Sequence, residues 1–266
     1  MKFTRLRRRG FRLALPAVVG AALLTLGLAS PASAANPDPI PESFDFSDCP
    51  ELPAGAHPTF SHCWVGVVTS GTFKIGNFDQ TIDKPIRITW ATAFNPTTFE
   101  TATVFGGLHT EKMKIQDGLF GDPFLTAVYA KVEYAGTFEM PPGDDLRINL
   151  GIKVRILNPL LGNNCALGSN SNPIMLNLTT GTTNPPAPNT PITGEPISVA
   201  RQQPSPTVFQ AKHVGNSFAV PGASGCIFNW GVGNWLINQV GGFPSPAGHN
   251  TMIQNEYIVS KQYSQL

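Results

Sequence analysis

Residues 128–156, VYAKVEYAGTFEMPPGDDLRINLGIKVRI, decide the fold. Val128, Ala130, Val132 and Tyr134 alternate with Tyr129, Lys131 and Glu133, and Ile148, Leu150, Ile152, Val154 and Ile156 alternate with Arg147, Asn149, Gly151, Lys153 and Arg155. A period of two puts successive side chains on opposite faces of a strand, so each run has one apolar face and one polar face. Pro141-Pro142-Gly143-Asp144-Asp145 lies between them and supplies turn chemistry, which predicts an antiparallel hairpin. The turn also accounts for the adjacent carboxylates Asp144 and Asp145. Neighbours in a turn point apart into solvent, which suits neither paired acid/base work nor calcium.

Shorter runs on either side read the same way. Trp64–Val68 and Phe73–Ile75 flank a Ser70-Gly71 turn signal, Ile86–Trp90 alternates cleanly, and Ile174–Leu178, Val208–Val214, Phe218–Val220 and Ile253–Val259 are strand-like. Asp117-Gly118 and Asp122-Pro123 are turn dipeptides. Residues 179–206 hold seven prolines and almost no charge, which predicts an extended surface loop within one domain.

Residues 227–240 are the helix candidate, with Phe228, Val232, Trp235, Leu236 and Val240 at helical spacing and Gly231 and Gly233 weakening it. The tryptophans of this stretch, Trp230 and Trp235, suit a membrane or glycan surface, but the lack of lysines favours burial in the core. The expected architecture is mainly β: an antiparallel β-sandwich-like domain with long Pro/Gly-rich loops and one short C-terminal helix. It covers residues 49–266 and follows an extended segment at 35–48.

The N-terminus reads as an export signal. Lys2, Arg5, Arg7, Arg8, Arg9 and Arg12 precede an apolar run from Leu13 to Leu28, and Pro31-Ala32-Ser33-Ala34 ends in a small-residue cleavage site. The apolar run is too short for a spanning helix, so cleavage after Ala34 is expected and no transmembrane anchor would remain. Arg8-Arg9-Gly10-Phe11 has the look of a twin-arginine signal, which leaves the export route open. Beyond residue 34 there are 12 basic and 17 acidic residues, a net charge of −5. No basic cluster survives, which argues against nucleic acid as a partner. Glycine and proline make up 46 of those 232 residues, so turns are frequent and long helices are excluded.

Cys49, Cys63, Cys165 and Cys226 in an exported chain read as two disulfides. Three pairings exist. Cys49 with Cys63 closes a short loop easily, and Cys165 with Cys226 ties down the ends of the proline-rich excursion, so this pairing is favoured. Cys49, His57, His62 and Cys63 also contain zinc ligand types, but their spacing is irregular, and adjacent His62 and Cys63 alternate to opposite faces of a strand. No metal or cofactor is expected.

No nucleophile elbow, H-E-x-x-H run, phosphate-cradling loop or dinucleotide fingerprint is present. His57, His62, His109, His213 and His249 are scattered singly. His109 in Gly106-Gly107-Leu108-His109 and His249 in Ser245-Pro246-Ala247-Gly248-His249-Asn250 fall in expected loops and are the two to watch, although a surface or structural role is the commoner one.

Residues 158–194, with FAVPGASGC at 218–226 and FPSPAGHNTMI at 243–253, resemble a family of secreted actinobacterial proteins of no assigned activity. The resemblance implies export from a Gram-positive cell and a Cys165–Cys226 bridge, and it implies no catalytic residue. The expectation is a secreted or cell-envelope β-protein that binds an extracellular ligand or envelope component without catalysis. A hydrolase site assembled from loops and an outer-envelope β-barrel are the alternatives.

Overall fold

The 128–156 hairpin opens into one large antiparallel sheet. The structure is a computed structural model that describes residues 36–116, 127–227 and 232–266, all within one compact unit. The signal region, the 117–118 and 122–123 turn dipeptides and Trp230 lie outside the described residues. The strands of the N-terminal half are β1 His62–Ile75, β2 Phe78–Thr81, β3 Ile86–Asn95, β4 Glu100–His109, β5 Met113–Gln116 and β6 Val128–Glu139. They are followed by β7 Arg147–Leu157, β8 Ala166–Leu167, β9 Ile174–Thr179, β10 Glu195–Arg201, β11 Val208–Gly215 and β12 Ala223–Ser224. Helix α1 Gly233–Gly241 and strand β13 Thr251–Gln262 complete the chain, which ends in a short 3₁₀ turn, Tyr263–Gln265.

The main path of the sheet runs β12-β8-β7-β9-β11-β13-β1-β3-β4, with β6 on the other side of β7, β5 beyond β6, and β10 on β11. β6 and β7 pair in the expected hairpin register from Tyr129↔Leu157 to Glu139↔Asn149, with a bulge between Tyr134 and Phe138. β4 and β6 meet where the sheet curls over on itself. Among the described residues no hydrogen-bonded ladder joins them; aromatic rings do. Phe105 of β4 stacks on Tyr134 of β6 at 3.9 Å between centroids and packs on Phe138 at 5.2 Å. Burial at this seam pushes the Tyr134 phenol pKa up. The result is a sandwich-like half-barrel.

The alternation explains the core. Val128, Ala130 and Val132 of β6 and Ile148 to Ile156 of β7 are buried together with Phe73, Ile75, Ile86, Ile88, Trp90, Met252 and Ile258. Lys131, Glu133, Lys153 and Arg155 face outward, where Arg155 donates to Glu133 at 2.9 Å and Lys153 lies 3.7 Å from it. Apolar inside and charged outside is the reverse of a membrane-spanning barrel, whose apolar band faces lipid. Among the described residues no helix is long and apolar enough to cross a membrane.

A second, smaller core lies on the outer face of the same sheet. The extended segment from Asn36 lays Ile40, Phe44 and Phe46 over Val65, Val67, Val208, Tyr257 and Val259. Tyr257 donates its hydroxyl to the Asp38 carbonyl at 2.6 Å, and burial, reinforced by the Asp38 charge, raises its phenol pKa. The strap continues to Asp48, which meets Arg87 and His109, and then to the Cys49–Cys63 disulfide. Gly106 is required beneath it, because a Cβ there would lie 2.2 Å from the Asp48 carbonyl oxygen. The Cys165–Cys226 disulfide joins the end of the β7–β8 connection to the loop before α1.

Several sequence expectations change. Ser70-Gly71 is not a turn: β1 runs straight through it, with a bulge against β13 between Val68 and Ser70. Gly71 permits this because a Cβ would fall 2.0 Å from the Ile253 carbonyl oxygen. The proline-rich excursion contains a strand, β10, paired with β11; Pro196 within it and the prolines on either side keep it from reading as one. Phe218–Val220 forms only a single bridge, Val220↔Ser245. The helix begins at Gly233, six residues later than expected.

Candidate functional site

α1 has two unlike apolar faces. Its C-terminal end is fixed by Gly242, which adopts a left-handed φ of +67° and closes the helix on the Asn238 carbonyl. Its polar side chains clamp the disulfide segment: Asn238 Oδ1 accepts from the Ala223 amide at 2.7 Å, and Asn234 Oδ1 accepts from the Cys226 amide at 2.9 Å. Asn77 ties the other side by donating to the Val240 carbonyl at 3.1 Å. Thus held, α1 turns Ile237 inward and leaves Trp235 outward with 63% of its surface exposed. Core packing, expected for this tryptophan, is overturned. Ile237 takes the inward position, and Trp235, two residues away, is carried about 200° round the helix.

Beneath Ile237 lies an apolar void of about 40 Å³. Ile237 and Phe243 close it on one side. Phe73 and Ile75 of β1, Phe78 of β2, Met113 and Ile115 of β5, and Val128, Ala130 and Val132 of β6 line the rest, and Gln80 is the polar residue at its wall. A second void of about 20 Å³ continues along the interior. Phe73, Met113 and Val132 line both, so they form the partition between them. Gln254 is the polar residue on the wall of the second void.

Outside, the exposed side of α1 lies in one of two runs of the chain that carry no Asp, Glu, Lys or Arg. Val232, Trp235 and Val240 are exposed, as are Leu160 and Ile227. The Ile227 amide donates to the Leu161 carbonyl at 2.8 Å, which brings the 158–162 loop against the segment leading to α1. Residues 156–194 and 213–255 contain no Asp, Glu, Lys or Arg. Plotting charge along the chain would have exposed these two silent runs, although not their meeting in space.

One polar pair does enter the interior. His213 of β11 and Glu256 of β13 project to the core side, where His213 Nδ1 donates to Glu256 Oε1 at 2.5 Å. Both are buried, and His213 Nε2 has no partner. Glu256 Oε2 lies near Gly66 and the Trp90 ring, since a Cβ on Gly66 would sit 3.6 Å from the oxygen and 3.3 Å from the ring. His213 is directly opposite Gln254 in the ladder. The pair ties β11 to β13 by a side-chain hydrogen bond inside the core.

The two histidines singled out from sequence do not come together. His109 is at the end of β4, not in a loop, directly opposite Arg87 of β3, and its Nε2 lies 2.8 Å from Asp48 Oδ2. Arg87 also binds Asp45 and Asp48, so the cluster fastens the N-terminal strap. His249 is exposed in the loop before β13. Cys49 and Cys63 are consumed in a disulfide and are not metal ligands. Among the described residues no group of three or more His, Cys, Asp or Glu is placed to hold a metal ion.

No protein-family model matches the chain, and no curated protein or solved structure does either.

Proposed function

We propose that this chain is an exported, non-enzymatic binding protein that engages uncharged amphiphiles, and specifically their acyl chains, at the α1 end of the half-barrel. The observation that carries this reading is the position of α1. Its inner residue Ile237 roofs an apolar void, and its outer residues Val232, Trp235 and Val240 stand exposed in a charge-free run of the chain. Exposed apolar side chains over an apolar interior suit a ligand that passes from a lipid phase into the protein. The void holds only a short alkyl segment as it stands, and Met113, the most flexible side chain in the partition, is the residue whose movement would join it to the second void. Export is supported by the signal-like N-terminus and by two disulfides, which persist in oxidising compartments. The resemblance to secreted actinobacterial proteins fits the same compartment.

The test is titration of the mature chain, residues 35–266, with the methyl ester of a fluorescent long-chain fatty acid and with the uncharged alcohol of the same length. Saturable binding of both, reduced at least tenfold by Ile237→Trp and by Met113→Trp, is the expected result. Absence of saturable binding, or binding indifferent to both substitutions in folded variants, overturns the reading. Mass spectrometry of the exported chain, with Ala35 as its first residue, tests the compartment.

A further inference from the structure

We propose a second binding site, for a free α-amino acid, in a polar cleft on the outer face of β7 and β9. The cleft shares no lining residue with either void, so it does not depend on the acyl-chain reading.

The β7–β9 ladder lays its floor. Arg147 pairs with Thr179 and Asn149 with Asn177, while Ile148, Leu150, Leu176 and Leu178 are buried on the core side. Alternation therefore turns the four polar side chains outward together. The chain after β9 folds back to make the wall. The Thr180 amide donates to the Leu146 carbonyl at 3.1 Å, and the Leu146 amide donates to Thr180 Oγ1 at 3.1 Å. Ile192 holds Thr183 in the same way, accepting from its amide at 2.9 Å and donating to its Oγ1 at 3.0 Å. Thr182, Thr183, Asn184 and Ser217 then complete the lining of a cleft of about 210 Å³.

Two charged residues line it, and they do not neutralise each other. Among the described residues Asp145 and Arg147 form no ion pair, with each other or with any other group, and neither side chain makes a hydrogen bond. The Asp145 carboxylate nevertheless has a fixed seat. A Cβ on Gly181 would lie 2.2 Å from its Oδ2, so the carboxylate rests against the Gly181 backbone. The Arg147 guanidinium lies beside Gly143 of the β6–β7 turn, where a Cβ would be 3.6 Å from Cζ. The adjacent carboxylates of that turn thus differ: Asp144 is exposed, and Asp145 is half-buried at the cleft.

The chemistry selects the ligand. A lone anion meets Asp145, a lone cation meets Arg147, and an uncharged molecule leaves both charges unmatched. An α-amino acid matches both, with its carboxylate on the planar guanidinium and its ammonium on the Asp145 carboxylate. The size agrees, since the cleft is smaller than the roughly 300–1,000 Å³ of drug-sized ligand sites. Leu178 is the one apolar residue of the lining, and Asn177, Asn184 and Ser217 carry side chains with no hydrogen bond among the described residues. A small or hydroxylated side chain on the ligand suits them.

The experiment is an NMR titration of the mature chain with glycine, alanine and serine. Propionate and ethylamine, which are alanine without its ammonium and without its carboxylate, are the controls, with glucose as the uncharged one. Saturable shifts centred on residues 145–149 and 177–184 are expected with at least one amino acid, and each control is expected to bind at least tenfold more weakly. Asp145→Asn and Arg147→Gln, which remove one charge each and keep the size, are expected to lose tenfold or more in affinity, while Ile237→Trp leaves it unchanged. The last variant separates this site from the acyl-chain site, and the comparison of ligands on the wild-type chain stands whatever the variants do to folding. No saturation with any of the three amino acids, equal binding of a control, shifts centred elsewhere, or folded variants with wild-type affinity overturns the proposal.

Discussion

His213 of β11 and Glu256 of β13 meet diagonally across their ladder, 2.5 Å apart and sealed from solvent on the apolar side of the sheet. Taking either partner away leaves the other's polar or charged group buried without compensation. His213→Ala and Glu256→Ala are each expected to cost about 3–5 kcal/mol in urea denaturation, the range for breaking a buried pair. His213→Leu combined with Glu256→Leu is expected to cost clearly less than the sum of the single changes, because no unpaired group remains.

The outer face offers a pH test. Burial works to raise the Glu133 pKa, but the hydrogen bond and charge of Arg155, with Lys153 and Lys131 adding to it, outweigh burial and hold it below the usual carboxylate value. A folded pKa below the unfolded one stabilises the fold above the unfolded value, and the benefit disappears as pH falls through the folded value. Glu133→Gln is therefore expected to lower the melting temperature at pH 7 and to make no difference once Glu133 is protonated in both states. A gap between the two proteins that stays constant from pH 7 to pH 2 contradicts it.

The two disulfides close loops of different length, with sequence separations of 14 and 61. Loop-closure entropy gives about 3 kcal/mol for the shorter and about 4 kcal/mol for the longer. Paired Cys→Ser variants are expected to lose stability in that order, with Cys165→Ser/Cys226→Ser the weaker fold. Chemical denaturation of the two variants under identical conditions checks the ranking.

Phe99, between β3 and β4, has a φ of +58°, the left-handed region that a bulky side chain avoids, and this strain has a measurable signature. Ala keeps the unfavourable left-handed backbone and Gly relieves it, so Phe99→Gly is expected to be more stable than Phe99→Ala by about 1 kcal/mol. Equal stability of the two variants removes the argument for strain.

Legibility in the sequence followed the cleanness of the alternation. β6 and β7 could be read because every second residue is apolar and every other one is polar. β13, the strand with the longest ladder to β1, is legible only from Ile253 to Val259, because Ser260, Lys261 and Gln262 at its end carry no apolar alternation. β4 was missed for a different reason. Gly106 and Gly107 look like loop residues, but they sit in a strand because Asp48 lies directly over them. Trp235 was assigned to the core on general frequency, and only the seating of Ile237 decides which face of α1 is inside. The His213–Glu256 pair joins residues 43 apart and has no local signal at all.

β13 lies between β1 and β11, the position in which the sheet needs it most, and it is also the last strand in the chain. The first strand cannot acquire its long-range partner until Thr251–Gln262 are present, and contacts of such separation form slowly. A chain threaded across a membrane from its N-terminus would therefore reach the far side with its sheet still open, and would close only when Thr251–Gln262 arrived to fill the centre. Until β13 docks, the unpaired edges of β1 and β11 are exposed to pairing with other chains, which is an aggregation hazard during folding.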